Sequence, residues 1–519
     1  MNSPFPPDWV AAHALKTPDA PAVDSPEQRL SYAALHARVQ ALAADLATRG
    51  ATSSDRVVIA LQQSPAAAVA SLAVQTLGAC AVEVDRTASP DTLRFVLSQT
   101  GARFAIVAPQ DAKRWAGIGI PALAWIWVVG GRAGDTHGFP ACAATALGRD
   151  GALAAGGSGG APPRRDVPET APALIVYPSG STGRPRGVLQ TYRNIGANTR
   201  SIVAYLGLGP SDRAMAILPF HYCYGKSVLQ THLYAGGSVF VDPRFAFPRV
   251  VMEAIGAEGC TGFAGVPLTF ELLRREIDVK SIPMPKLRYL TQAGGPMRPD
   301  TVRWVRETFA PARLFVMYGQ TEATARLAYV PPERGEEKLG SIGVAIPGVE
   351  LAVVDEEGGE VATGETGHLV ARGDNVTPGY LDDPEETAAI LKRGWLWTGD
   401  LARRDADGFF FLVGRAREII KIAGNRVSPM EIEHVVAGHP AVAEAVVVGA
   451  PDALQGEVAV AFVVPKAGAV IVEEDVRRFC RETLALYKVP ARVVPLDALP
   501  KNSAGKPLRA ELAARAKVG

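Results

Sequence analysis

Residues 177–188 read YPSGSTGRPRGV, entered from the apolar run LIVY and left past two arginines, Arg184 and Arg186. Gly180 and Gly183 permit a tight backbone path that aims successive N–H groups at an anion. The hydroxyls of Ser179, Ser181 and Thr182 add neutral donors, and Arg186 adds charge. A strand running into such a turn is a phosphate cradle in composition, yet it is not the lysine-bearing G-x-x-x-x-G-K-[ST] loop. A Ser/Gly turn without function would have the same composition, so the loop gains meaning only from what surrounds it.

Outward from this stretch the chain alternates. Between 31 and 107 the runs VVIAL, ACAVEV and FAIVA read as strands separated by helical segments, which predicts a parallel sheet covered by helices. A second alternating run extends from 173 to about 300. No G-x-G-x-x-G follows the first strand, so a dinucleotide site is unsupported. Residues 152–166, ALAAGGSGGAPPRRD, read as a flexible loop. Residues 340–412 change character, with short β runs and turns such as DEEGGE and DADGF that predict a small barrel or antiparallel sheet. Beyond Arg415, strands near 446–448 and 458–464 and a helix over 474–486 predict a mixed segment. The expected fold is α/β. A large N-terminal domain (1–414) has parallel sheets with helices plus a small β-barrel-like subdomain. A smaller α+β domain (415–519) follows.

Bulk properties exclude several function classes. The chain has 519 residues, 48% apolar and 21% charged, with 54 Lys+Arg against 53 Asp+Glu and a formal net charge of +1. A near-neutral chain gives no reason to expect nucleic acid or an anionic membrane as the main partner. Its five cysteines are scattered without a CxxC pair, which argues against a zinc site or disulfide framework and fits a reducing, cytoplasmic setting. The N-terminus, MNSPFPPDWV, lacks the basic and apolar regions of a secretion signal. Residues 57–82 carry no charge, long enough for a membrane span. However, Ser64 reads as an N-cap, Pro65 as the first helical residue and Gly78 as a stop, so strand–helix–strand is expected instead.

Five further segments follow the loop in order: Tyr318, Gly319, Gln320, Thr321 and Glu322; the TGD around Asp400; Gly414-Arg415-Ala416-Arg417; Ala423-Gly424; and KNSAGK ending at Lys506. Together with the 177–188 loop they resemble the adenylate-forming superfamily, which includes acyl- and aryl-CoA synthetases, luciferases and peptide-synthetase adenylation domains. Two positions depart from that pattern: Pro178 replaces a threonine, and Arg186, a planar fork, replaces a lysine.

The resemblance implies an enzyme that takes ATP, Mg²⁺, a small-molecule carboxylic acid and coenzyme A. The carboxylate attacks the α-phosphorus of ATP, pyrophosphate leaves, and the acyl group passes from acyl-AMP to a thiol. By the resemblance, Ser179, Gly180, Ser181, Thr182, Gly183 and Arg186 surround the phosphates. Thr321 meets the α-phosphate and Glu322 holds Mg²⁺, beside Tyr318, Gly319 and Gln320. Gly294, Gly295 and Pro296 lie against adenine, and Asp400 and Arg415 take the ribose. Lys506 bridges carboxylate and α-phosphate, Arg417 is the pivot of a mobile small domain, and Lys421 and Gly424 line the thiol tunnel. On the acid side the resemblance points to Tyr222 and His221 as gate, with Ala293 and Gly265 as pocket wall. The small residues at 293–295 suggest room for a ring or bulky chain, and packing glycines would look the same. A carrier-protein phosphopantetheine thiol or an amine is the alternative acceptor, and an inactive nucleotide-binding regulator is the alternative of another class.

Overall fold

The computed structural model describes residues 3–116, 118, 123–130, 143–153, 161–163, 165–178, 185–501 and 507–518. Contacts divide these residues into two compact units. One comprises the described parts of 1–178, 185–350 and 372–396, and the other 351–371 and the described part of 397–519.

The uncharged run near the N-terminus resolves as its caps predict. Strand Arg56–Ala60 leads to helix Pro65–Thr76 and then to strand Cys80–Glu83. The Ser64 hydroxyl accepts from the Ala67 N–H at 3.2 Å, Pro65 sits where no N–H is needed, and Gly78 turns the chain at φ +78°. All twelve residues of this helix are buried, which is why no polar stripe interrupts it. Among the described residues no helix is long and apolar enough to cross a membrane.

Two large sheets organise the first unit. In one, Ala143–Leu147, Trp125–Val129, Phe104–Val107, Arg56–Ala60, Cys80–Glu83 and Pro172–Val176 run parallel in that order. Val188–Thr191 closes the edge antiparallel to Pro172–Val176. The other has nine strands. At its heart Arg313–Tyr318, Tyr289–Gln292, Gly262–Gly265, Arg213–Ala216 and Ser238–Val241 lie side by side and parallel. These strands are buried on both faces, so their sequences read as short apolar runs without alternation.

A five-stranded sheet contains Val349–Val354, Gly367–Gly373, Trp395–Arg404 and Leu391–Lys392 in that order. Phe410–Arg415 is antiparallel to Trp395–Arg404. The turn-rich stretch 340–412 thus forms the small sheet its composition predicts. The C-terminal sheet pairs Val442–Asp452 with Gly456–Pro465 and carries Ile420–Ile422, Asn425–Val427 and Arg492–Pro495. Its pleat divides a solid apolar run between two cores. Val446, Val448, Val460 and Phe462 face one, whereas Val447, Ala459, Ala461 and Val463 face the other. The helix expected over 474–486 is shorter than its pattern suggests, running Glu473–Arg481, and Ala485 at φ −57° and ψ 145° separates it from a 3-10 turn at Leu486–Lys488.

The hairpin joining Ile420–Ile422 to Asn425–Val427 has two central residues in positive φ, Ala423 at 47° and Gly424 at 80°. Glycine adopts this freely, but alanine is strained there by about 1–2 kcal/mol. Replacing Ala423 with Asn, which tolerates that region, is expected to raise the stability of this unit by about 1 kcal/mol. Calorimetric melting would show an upward shift; a fall would mean the turn is held by something other than its backbone type.

Candidate active site

Parallel strands put their carboxyl ends on one edge, where ligands of open α/β sheets bind. Arg213–Ala216 leads into 217–222, Gly262–Gly265 into Val266, Tyr289–Gln292 into 293–296, and Arg313–Tyr318 into 319–322. The sheet therefore gathers Tyr222, His221, Gly265, Ala293, Gly294, Gly295, Pro296, Tyr318, Gly319, Gln320, Thr321 and Glu322 on a single edge.

The last of these segments is bent sharply. Thr324 has φ 65° and ψ −62°, and the Ala325 N–H reaches the Ala323 carbonyl at 2.7 Å, which closes a γ-turn around a buried β-branched residue. Such a turn is strained and persists only where its surroundings over-determine it. They do so here. Gln190 donates to the carbonyls of Thr321 and Thr324 at 3.2 and 3.1 Å. Asn375 donates to those of Ala323 and Arg326 at 3.2 and 2.9 Å and accepts, through its own carbonyl, the Thr324 hydroxyl at 2.7 Å. Asn198 adds a second donor to Arg326, at 3.0 Å. Gly319 packs so closely on the Ala325 carbonyl that any Cβ would overlap it.

This frame fixes Thr321 and Glu322. The Thr321 hydroxyl lies 3.5 Å from the Cys223 sulfur, and the Glu322 carboxylate accepts a 2.8 Å hydrogen bond from the Tyr380 hydroxyl. Burial, together with the Glu322 charge, pushes the Tyr380 phenol well above its ordinary range, so it stays a donor. Arg186 pairs with Glu386 at 2.6 Å and lies 5.7 Å from the Tyr380 ring centroid. Both partners are about two-fifths exposed (41% and 39%), and an ion pair that open is worth little and is readily exchanged for a phosphate. No cluster of three His, Cys, Asp or Glu side chains able to hold a metal occurs among the described residues. A lone carboxylate such as Glu322 still fits Mg²⁺, which keeps several waters and binds through one or two carboxylates plus substrate phosphates.

On the acid side, Tyr222 occupies the N-cap position of helix Cys223–Ala235. That helix sits tight on the preceding turn, because a Cβ on Gly225 would overlap the Leu218 and Pro219 carbonyls. The Tyr222 hydroxyl lies 2.6 Å from where a Cβ on Gly294 would be, and Gly294 itself has φ +91°. A Cβ on Gly265 would press on Thr269 and Phe270. At these two positions the absence of a side chain accommodates close neighbours rather than leaving space. Burial lowers the His221 pKa, opposed by the charges of Asp85 and Glu83. The Tyr222 ring is 6.3 Å from that of Tyr224, and Tyr224 lines a cavity of about 20 Å³ with Thr291, His232, Met317 and Arg326. That is room for little more than one water-sized group.

In the second unit, Asp400 and Arg415 are cross-strand partners, and their side chains meet at 2.8 Å. Asp400 is buried; Gly399 at φ +78° turns the strand before it, and the Thr398 hydroxyl is anchored on the Leu369 carbonyl at 2.8 Å. Arg417 lies in the 3-10 turn Ala416–Glu418, whose Glu418 pairs with Arg509 at 3.2 Å. Lys421 and Gly424 belong to the strained hairpin. Ser179, Gly180, Ser181, Thr182, Gly183 and Lys506 lie outside the described residues; Lys501 and Pro507, on either side of 502–506, are bridged.

A family model described as AMP-binding enzyme matches residues 10–381, and one described as AMP-binding enzyme C-terminal domain matches 431–506. The chain belongs to the AMP-binding enzyme family. Sulfoacetate–CoA ligase of Cupriavidus necator is 32% identical over 513 residues, covering 97% of this chain and 96% of the relative. The ATP-bound structure of MatB from Rhodopseudomonas palustris superposes with a TM-score of 0.87 at 28% identity, over 99% of each chain. The o-succinylbenzoate CoA synthetase of Bacillus subtilis, solved with its acyl-adenylate intermediate, gives 0.83 at 27% identity over 98% of each.

Five residues escaped the sequence reading. Gln190, Asn198, Asn375 and Tyr380 are far in sequence from what they hold, so no local pattern marks them. Arg326 had a signal: one cation in the otherwise uncharged stretch 323–330 leading into the apolar strand Ala328–Val330. If the amide frame sets the Thr321–Arg326 turn, Asn375→Ala removes one of two donors from each of the Ala323 and Arg326 carbonyls, at about 1 kcal/mol each. The variant is expected to melt lower and to lose kcat by more than tenfold in acid-dependent pyrophosphate release. Unchanged kcat in a folded variant would show that the γ-turn is not needed.

Proposed function

We propose that this protein activates a small carboxylic acid with ATP as acyl-AMP and transfers the acyl group to the thiol of coenzyme A. The observation that supports it most is the gathering of the Tyr222, Gly294 and Thr321–Glu322 segments on one sheet edge, in a chain of the AMP-binding enzyme family. The acid is proposed to be short, because the cavity lined by Tyr224 is small, and the Cupriavidus relative is named for a short acid. Cys80, Cys260 and Cys480, buried and in no disulfide among the described residues, support a cytoplasmic setting.

A carboxylate approaching a triphosphate meets repulsion of about 1 kcal/mol per charge pair at 4 Å in water, and several-fold more in a drier site. Pre-placed donors and cations offset it and stabilise charge developing at phosphorus. In this reading the 179–183 loop and Arg186 surround the phosphates, Thr321 donates to the α-phosphate, and Glu322, steadied by Tyr380, would hold Mg²⁺. That ion supplies charge neutralisation across the phosphates when bound. Asp400 and Arg415, which satisfy one another without nucleotide, take the ribose hydroxyls. Lys506 meets the carboxylate and α-phosphate oxygens, so that the new C(O)–O–P bond forms as the bond to pyrophosphate breaks. For the second step, residues 415–519 turn about Arg417 and present Lys421 and Gly424 to the incoming thiol. The thiol sulfur forms the thioester, and AMP leaves.

Acid-dependent ATP–pyrophosphate exchange, followed by AMP release with CoA, with a carrier protein or with an amine, tests this reading. Exchange with short acids and release driven by CoA is expected. Release only with a carrier protein or an amine would move the acceptor, and exchange with no acid would sink the enzyme reading. Lys506→Ala is expected to lower adenylation by roughly 10²–10³; near-normal exchange would remove Lys506 from the step. Arg417→Pro, which restricts the pivot dihedral, is expected to spare exchange and slow thioester formation. Equal loss of both would count against rotation.

A further inference from the structure

Arg326 is 3% exposed, and no carboxylate pairs with it among the described residues. Its guanidinium stacks 4.1 Å from the centroid of Tyr224, donates to the Met317 sulfur at 3.3 Å and returns one bond to the neighbouring Ala325 carbonyl at 3.1 Å. These are weak acceptors for a group with five donors. A permanently charged side chain taken out of water with a ring, a thioether, a carbonyl and the Tyr205 hydroxyl, all uncharged, lacks the anionic partner that such burial normally requires. Nor can it escape by losing its proton, as a lysine could.

Its surroundings concentrate that deficit in one place. Arg326 forms part of the wall of the cavity lined by Tyr224, and no aspartate or glutamate stands among the described residues lining it. His232 is the other basic group there. It shares its ring nitrogens with the Val228 carbonyl and the Tyr289 hydroxyl, both at 2.8 Å, and burial holds its pKa down at about 4, so it adds no positive charge near neutrality. Tyr224 spends its hydroxyl on Thr291 at 2.8 Å. The backbone of Arg326 is fixed by the two carboxamides on its carbonyl, four residues beyond Glu322. The cation therefore sits on a rigid mount, four residues along the chain from the Glu322 carboxylate at the sheet edge.

We propose that Arg326 is a specificity-determining residue that binds a second anionic group, a carboxylate or sulfonate, at the far end of the acid. This deepens the acid-activating reading and rests on it. One carboxylate of the substrate remains at the Thr321–Glu322 end for adenylation, and the other oxyanion takes the guanidinium fork at the wall of the small cavity. An aromatic ring or long chain would put apolar surface against an unpaired cation and would not fit the volume.

The test compares matched acids in pyrophosphate release by the full-length enzyme: malonate against propanoate, and succinate and 3-sulfopropanoate against butanoate. Acids with the far anion are expected to exceed their neutral counterparts by at least about 10²-fold in kcat/KM, since a site built around a buried polar group rejects ligands that leave it unpaired. Succinate against 3-sulfopropanoate separates carboxylate from sulfonate recognition. Arg326→Met is expected to collapse the preference to within about tenfold while retaining turnover of butanoate, with Arg326→Lys falling between. Equal use of neutral and anionic acids by the native enzyme overturns the proposal, as does an Arg326→Met variant that loses all acids by one common factor. Calorimetric titration of the native protein with succinate and butanoate keeps this separate from the acid-activating reading. Absence of pyrophosphate release with every acid sinks that reading, whereas selective binding of succinate still supports the Arg326 assignment and equal binding refutes it.

Discussion

The carbonyls of Thr321, Ala323, Thr324 and Arg326 take hydrogen bonds from the buried amides of Gln190, Asn198 and Asn375, and the rest of the site depends on that set of bonds. A γ-turn on threonine is a conformation the chain would leave if it could. Three amide side chains from other segments hold it, and the strain is kept where a strand must end and a carboxylate must point outward. Glu322 then has one direction, and Arg326, on the other side of the turn, has another. The segment presents two groups of opposite charge: the Glu322 carboxylate on one side and the buried Arg326 guanidinium on the other.

Much of this arrangement was legible in the sequence. Strand–helix alternation gave the parallel sheets, and parallel strands bring loops to one edge whatever their spacing in the chain. Ser64, Pro65 and Gly78 announced the buried helix because caps are chemistry local to a few residues. Short turn-rich runs announced the small antiparallel sheet for the same reason. What stayed hidden is non-local. Tyr380 reaches Glu322 across 58 positions and Asn375 reaches Ala323 across 52, distances that no periodicity records. The end of the helix at Arg481 is not marked in its apolar pattern. Small residues were ambiguous: those at 293–295 could mean space or contact, and at Gly294 only the position of Tyr222 decides for contact.

Charge is distributed by how firmly it is held. The Arg186–Glu386 pair is open to solvent and free to be replaced by a ligand, and the Asp400–Arg415 pair combines a buried acid with a half-exposed base. Arg326 is buried and lacks such a partner.

The most direct test is a crystal structure with a non-hydrolysable acyl-sulfamoyl adenosine carrying a succinyl group. The account predicts the sulfamate beside Thr321, the far carboxylate on the Arg326 guanidinium, and an unaltered path for residues 323–326 with Thr324 still at positive φ. A bound analogue whose acyl chain runs away from Arg326, or one that relaxes the turn at Thr324, would contradict it.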